Sequence, residues 1–235
     1  MTETLSHTAV ITGASRGLGR ALARAFARQG WNLLLDARHA EPLEAVKTEL
    51  QALTRVLTLT GDVTDASHRQ ELLEAAQSLG GIDVLINNAS MLGPSPQPAL
   101  LSYPLDVLEQ VYQTNVIAPL ALIQALHPQL KPTACIINIS SDAGQEVYEG
   151  WGGYGSSKAA LEHLSAILAA EQPGISIYWV DPGDMRTDMH QAAFPGEDIS
   201  DRPLPEESVP GILQLITQRY PSGRYLARSL PARNQ

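Results

Sequence analysis

Short unbroken apolar runs alternate along this chain with longer stretches that repeat every three to four residues. Residues 8–12 are apolar or β-branched and are bounded by Gly13, which predicts a buried strand. Leu18, Leu22, Ala25 and Phe26 then follow helical spacing until Gly30. The alternation continues with a strand at 32–36, a helix at 41–50 with Pro42 in its first turn, a strand at 56–60, and a helix at 66–78 closed by Gly80 and Gly81. A strand at 84–87 precedes a proline-rich loop at 93–98. A long helical region at about 105–130 should break or bend at Pro119 and Pro128. Strand 134–139, helix 154–171 with Leu161, Leu164 and Leu168 on one face, and strand 175–180 complete six strands.

Strands alternating with helices predict an α/β protein, a Rossmann-type doubly wound parallel sheet flanked by helices on both faces. Continuous apolar strands agree with burial on both sides. Ligands of such sheets bind beyond the carboxyl ends of the strands, where nearly every unusual residue of this chain falls. The proline- and acid-rich segment 189–207 reads as a loop or lid over the site, followed by a short helix within 205–218. No repeat or linker divides the chain, so residues 1–235 read as one domain.

Composition narrows the functional classes. The net charge of −9 argues against nucleic acid, which needs a positive surface. No stretch approaches the roughly 18 apolar residues of a spanning helix, and residues 1–7 lack the apolar core of a signal peptide, so no membrane partner is expected. A single cysteine, Cys135, forms no intrachain disulfide and sits in an apolar run. It reads as a small buried hydrophobe in a cytoplasmic protein. The six histidines show no metal-ligand spacing and read as surface or helix residues, so no metal is expected. His190, near the lid, and Tyr148 and Trp151 are candidates to face a substrate.

The first strand runs into Thr12-Gly13-Ala14-Ser15-Arg16-Gly17-Leu18-Gly19 and then a helix. Backbone N–H groups and the positive end of the helix dipole converge at such a turn, making an anion site. The spacing is T-G-x-x-x-G-x-G rather than the dinucleotide G-x-G-x-x-G. Tyr154 and Lys158 lie four residues apart on one predicted helical face. A lysine ammonium beside a phenol favours the phenolate. At roughly 4 Å the attraction is about 4 kcal/mol, or roughly three pKa units at most. That shift would bring Tyr154 near neutrality, where acid–base work is efficient.

This turn, together with Asn87-Asn88-Ala89, Asn115, Ser141, Tyr154-x-x-x-Lys158 and Pro182-Gly183 in the same order, resembles the short-chain dehydrogenase/reductase family. The likeness covers residues 8 to about 190. It implies a nicotinamide cofactor and reversible alcohol–carbonyl chemistry on a small molecule. It assigns the cofactor to Gly13, Ser15, Arg16, Gly17, Leu18 and Gly19 in the turn and to Asp62 and Val63 at the adenine. Asn88 and Ala89 would flank it, and Tyr154 and Lys158 would reach its ribose. Pro182, Gly183, Met185 and Thr187 would lie at the nicotinamide end. Ser141 would bond the substrate oxygen, Tyr154 would act as general acid and base, and Asn115 would support a water linked to Lys158. Ser90 stands where the family usually carries glycine. A homodimer or homotetramer is also implied.

Where the family's NAD enzymes carry an acid for the ribose hydroxyl, this chain has Ala37 followed by Arg38. Arg38 and Arg16 could clamp a 2′-phosphate, so NADP(H) is favoured over NAD(H). Asp36 should point away from Ala37's side. Two other functions remain open: a non-catalytic NADP(H)-binding sensor, and an epimerase or dehydratase. A sensor has no need of the Ser, Tyr, Lys and Asn set. An epimerase or dehydratase usually carries a larger substrate domain than the roughly 45 residues after Gly183.

Overall fold

The computed structural model describes residues 7–230; residues 1–6, most of the segment read as lacking a signal core, lie outside them. Seven strands form one parallel sheet. They are β1 (Thr8–Ile11), β2 (Asn32–Ala37), β3 (Val56–Thr60), β4 (Ile82–Asn87), β5 (Leu130–Ile139), β6 (Ser176–Asp181) and β7 (Gly223–Leu226). Their order is β3-β2-β1-β4-β5-β6-β7, and every pairing is parallel. The chain first winds outward from β1 and then crosses back to β4. The order therefore reverses between β1 and β4, the place where doubly wound sheets open a crevice.

The pleat divides the core. Ala9, Ile11, Leu33, Leu35, Val84, Ile137 and Val180 pack on one face against α1 (Gly17–Arg28), α2 (Ala40–Leu50) and α8 (Val209–Gln218). Val10, Leu34, Leu85, Ile136 and Ile177 pack on the other. That second face meets α3 (Ala66–Ser78), α5 (Ala118–Leu126) and the Leu168–Ala169 end of α6 (Gly152–Glu171). Adjacent residues of a strand face opposite layers, so an uninterrupted apolar run serves both. Cys135 is buried in this core, and burial pushes its thiol up to about 12.

Three elements depart from the pattern read in the sequence. Strand β7 is a four-residue edge strand, Gly223-Arg224-Tyr225-Leu226, without a continuous apolar run to reveal it. The long helical region is α4 (Leu105–Tyr112), a π-turn over Gln113–Ile117, and α5. Pro119 does not end the helix, because it sits in the first turn of α5 just beyond the π-turn. Within the segment read as a loop lies a short helix, α7 (Asp188–Ala193), capped by the Thr187 hydroxyl, which accepts from the His190 N–H. Beyond it, a single turn at Pro205–Glu207 leads into α8. Among the described residues, no helix is long and apolar enough to cross a membrane.

Candidate active site

The switch point is locked by side chains. Asn88 Nδ2 donates to the Thr12 carbonyl at 2.8 Å and to the Gly13 carbonyl at 3.1 Å. The Thr12 hydroxyl accepts from the N–H groups of Asn88 and Ala89, each at 3.0 Å. These bonds hold the ends of β1 and β4 together. Gly13 has φ +63°, the left-handed region that favours glycine. Gly19 lies beneath the turn. A Cβ there would strike the Gly13 carbonyl and approach Asn88 Nδ2 to 2.7 Å. Gly19→Ala is therefore expected to cost about 2–4 kcal/mol of stability and to abolish cofactor binding, as measured by thermal melting and NADPH fluorescence titration.

A cleft of about 470 Å³ opens from this point along the carboxyl ends of the strands. Gly13, Ser15, Arg16, Gly17 and Leu18 line its first stretch, with Arg38, Asp62 and Val63 at one end. Asn88, Ala89 and Ser90 form its middle. Ser141, Tyr154, Lys158, Pro182, Gly183, Met185 and Thr187 line the other end. The structure thus gathers residues from seven separate segments around one cleft. Gly19 and Asn115 are the two sequence-predicted site residues that do not line the cleft.

At the turn, helix α1 starts without a side-chain cap, leaving its first N–H groups to the cleft. That arrangement, with glycines where the backbone must be approached closely, fits a dinucleotide pyrophosphate. At the end of β2, Asp36 is buried, and His68 Nε2 on α3 donates to its carboxylate at 2.6 Å. Ala37 instead joins the core face of α1 and α2, so the two residues do lie on opposite faces of the strand. Burial raises the Asp36 carboxyl, while the hydrogen bond to Asp36 raises His68. His68 is on a helix as expected but is not at the surface. Arg38 is exposed and forms no salt bridge within 4 Å among the described residues, but its charge acts on Asp62 across the cleft end and, against the effect of burial, helps hold that carboxyl below its usual value. Arg16 is not free: its guanidinium pairs with Asp188 of α7 at 2.9 Å, both side chains exposed.

Around Tyr154 the expected electrostatics are absent. Lys158 Nζ lies 5.4 Å from the Tyr154 ring centroid but donates to the Ile139 carbonyl at 2.8 Å. Burial, reinforced by Asp142 and Asp181, holds the phenol well above its usual value; hydrogen bonding from Ser90 and then Ser141 acts the other way. Burial likewise pulls the Lys158 ammonium down to about 8. Helical spacing gave the shared face correctly, but burial drives both groups away from their charged forms, the opposite of the shift expected for Tyr154.

Ser141 caps a single turn, Asp142–Gly144, and its hydroxyl donates to Asp142 Oδ1 at 2.8 Å. The neighbouring Ser140 donates instead to buried Glu162 at 2.6 Å. Asn115 is buried, and its amide is fully committed. Oδ1 accepts from the Met91 N–H at 2.7 Å and the Ser90 hydroxyl at 3.1 Å. Nδ2 donates to the Met91 carbonyl at 2.8 Å and the Ser157 hydroxyl at 3.0 Å. The expected water-supporting role is therefore closed to its side chain. Its carbonyl remains, since Pro119 has no N–H to donate four residues back.

Several supporting residues escaped the sequence reading. Arg224 on β7 donates to Glu162 at 2.9 Å, to Asp181 at 3.2 Å and to the Ser141 carbonyl at 3.3 Å, tying α6, β6 and the serine loop together. Glu162 also accepts from Gln145. No motif marks these positions, because they converge only through the sheet edge. On the outer side, Leu92, Ala143 and Tyr154 form a small apolar cluster with Trp151, Met189, Ala192 and Ala193. Trp151 meets Tyr154 edge-on at 5.9 Å and Phe194 at 5.7 Å. Tyr148 does not line the cleft; its hydroxyl donates to Asp142 at 2.9 Å. His190 does line it.

A doubly wound sheet with a glycine turn at its switch point and a Ser–Tyr–Lys wall defines a nucleotide-dependent oxidoreductase. The model of the short chain dehydrogenase family matches residues 7–198, and the chain belongs to that family. It is 34% identical to serine 3-dehydrogenase of Agrobacterium fabrum, over 78% of this chain and 74% of that protein. It is 32% identical to sulfoacetaldehyde reductase 2 of Chromohalobacter salexigens, over 88% of this chain and 83% of that one. An alcohol dehydrogenase from Thermococcus sibiricus, solved with 5-hydroxy-NADP, superposes with a TM-score of 0.84 at 27% identity, covering 98% of each chain. The protein is thus an oxidoreductase of this family, acting on CH–OH or C=O groups with a nicotinamide cofactor.

Proposed function

We propose that this protein is an NADP(H)-dependent reductase of small carbonyl compounds, able to run in reverse on the corresponding alcohols. The observation that carries the reading is that Tyr154, Ser141 and Lys158 line the same cleft as the glycine turn, with the Lys158 ammonium 5.4 Å from the Tyr154 ring centroid. The cofactor, when bound, supplies or accepts the hydride. Tyr154 passes its proton to the substrate oxygen. A phenol held neutral by burial suits that acid step. Ser141 turns its hydroxyl from Asp142 to the same oxygen and stabilises the charge that develops there. Lys158, anchored on the Ile139 carbonyl, keeps a cation beneath the ring at neutral pH. The apolar cluster of Trp151, Met189 and Leu92 shapes the substrate end and excludes water. Residues 189–207, with α7 against the cleft, act as the lid of a single domain.

The preference for NADP(H) rests on exposed Arg38, which interacts with Asp62 but is bound in no salt bridge, and on the withdrawal of Asp36 into its bond with His68. An exposed pair such as Arg16–Asp188 is worth about 0–1 kcal/mol, so a phosphate can recruit Arg16. Arg38→Asp is expected to lower kcat/KM for NADPH by about tenfold or more and to raise that for NADH. An unchanged ratio would refute the clamp. Exposed Leu101, Leu105, Ile117 and Ile167 support assembly into a homodimer or homotetramer, and free, buried Cys135 suits the cytoplasm. The test is NADPH consumption against aldehydes, ketones, quinones and keto-acyl compounds, with Tyr154→Phe as the blank. Absence of Tyr154-dependent turnover across that panel sinks the reading.

A further inference from the structure

Behind the reactive end of the cleft lies a cluster of charged side chains that the proposed mechanism does not use. Arg224 on β7 pairs in register with Trp179, two residues before Asp181 on β6. Its guanidinium reaches past β6 to the loop after β5. Nε donates to Glu162 Oε1 at 2.9 Å. Nη2 donates both to Asp181 Oδ2 at 3.2 Å and to the Ser141 carbonyl at 3.3 Å. Each carboxylate in turn holds a loop. Asp181 Oδ1 accepts from the Gly183 N–H at 2.7 Å and so shapes the Pro182-Gly183 turn. Glu162 accepts from the Ser140 hydroxyl at 2.6 Å and from Gln145, on either side of Ser141 along the chain. Both carboxylates are buried.

We propose that Arg224 is a positioning residue for the reaction: it locks the Ser141 loop to the Pro182-Gly183 turn and so fixes the substrate-facing hydroxyl relative to the nicotinamide end of the cleft. The β5–β6 pairing runs out where the Ser140 N–H donates to the Val180 carbonyl at 2.7 Å. Past that point the chain continues as two separate loops, both of which line the cleft, and Nη2 bridges them. A lysine cannot do the same. The guanidinium presents several donors in a fixed planar fork, whereas an ammonium is a compact point charge. A buried ion cluster is a poor means of stabilising a fold; the bonds of this one go to the loops that bear Ser141 and Gly183. Arg224 acts only through the Ser141 carbonyl and the two carboxylates, and touches no reacting group. Its effect is therefore on alignment. Displacing either loop by about 1 Å would separate the hydroxyl from the substrate oxygen, an error that costs about 10²-fold in rate.

The proposal rests on the proposed role of Ser141, and its test separates the two readings. Arg224→Lys keeps a positive charge between Glu162 and Asp181 but gives up the bridge. Its kcat for carbonyl reduction should fall by about 10- to 100-fold, while KM for NADPH changes by less than about threefold and every chain still binds NADPH. Arg224→Met combined with Asp181→Asn removes one charge of each sign and should show the same split. Amide hydrogen exchange in the lysine variant should quicken in residues 140–146 and 182–186 and stay at the parental rate in the glycine turn. A loss of kcat matched by an equal loss of NADPH-binding chains would show a structural role alone and overturn the proposal. A folded lysine variant with parental kcat would overturn it too. A parent enzyme without Tyr154-dependent turnover overturns the proposed function instead. Hydrogen exchange then judges the Arg224 bridge by itself, and unchanged protection in both loops overturns it.

Discussion

Tyr154→Phe is expected to lower carbonyl reduction by about 10³-fold while leaving the protein folded and still able to bind NADPH. The size follows from removing the acid that protonates the substrate oxygen, a group worth roughly 10² to 10⁴ in rate. The fold should tolerate the change because the ring is what packs. It is buried against Leu92 and Ala143 and meets Trp151 edge-on at 5.9 Å, contacts that phenylalanine keeps. What phenylalanine loses is the influence of the Ser90 and Ser141 hydroxyls on the phenol at the cleft, not a contact of the core. NADPH affinity should weaken by less than about tenfold, since the glycine turn and Arg38 remain. The measurements are single-turnover reduction of the best carbonyl from the panel, NADPH titration and thermal melting. Retention of more than about a tenth of parental kcat would show that another group supplies the proton.

Lys158→Met should abolish turnover and yet raise the melting temperature. Burial pulls the Lys158 ammonium from its usual 10.5 to about 8, which means the folded protein holds this charge at a cost. A displacement of that size corresponds to roughly 3 kcal/mol. Methionine fills a similar volume without a charge but loses the hydrogen bond to the Ile139 carbonyl at 2.8 Å. A net gain of about 1–2 kcal/mol remains, or a rise in melting temperature of roughly 2–6 °C for a chain of this size. The pH dependence has a definite sign. Below about 8 the lysine is charged in both states, and the full penalty applies. Between about 8 and 10.5 the unfolded chain binds a proton that the folded one does not, so parental stability rises with pH. The advantage of the methionine variant should be largest at pH 7 and fade across that window. A lower melting temperature at pH 7 would show that the bond to Ile139 outweighs the cost of burying the charge.

Both predictions depend on burial, which separates the legible part of this site from the illegible part. The Thr12–Gly19 turn could be read because its spacing is local: strand, glycines and helix follow one another within a dozen residues. Tyr154 and Lys158 shared a face because helical periodicity is also local. The acidity of the phenol could not be read that way. Lys158 spends its proton on the end of β5, and the carboxylates acting on Tyr154 come from the ends of β5 and β6. Asn115 was recognised from its position, but its committed amide was hidden, because Met91, Ser90 and Ser157 converge on it from β4's loop and α6.

By itself, the sequence determined the alternation of strands and helices, the parallel sheet, the glycine turn at the end of β1 and the shared helical face of Tyr154 and Lys158. Each rests on a periodicity or a short spacing that the backbone enforces wherever it occurs. The tertiary structure alone decided that β7 closes the sheet edge and brings Arg224 to Glu162, Asp181 and the serine loop. It alone tied Asp36 to His68, Arg16 to Asp188, and Ser90 to the amide of Asn115. These pairings join residues far apart along the chain. Their energies depend on how completely water is removed, and no local pattern encodes that.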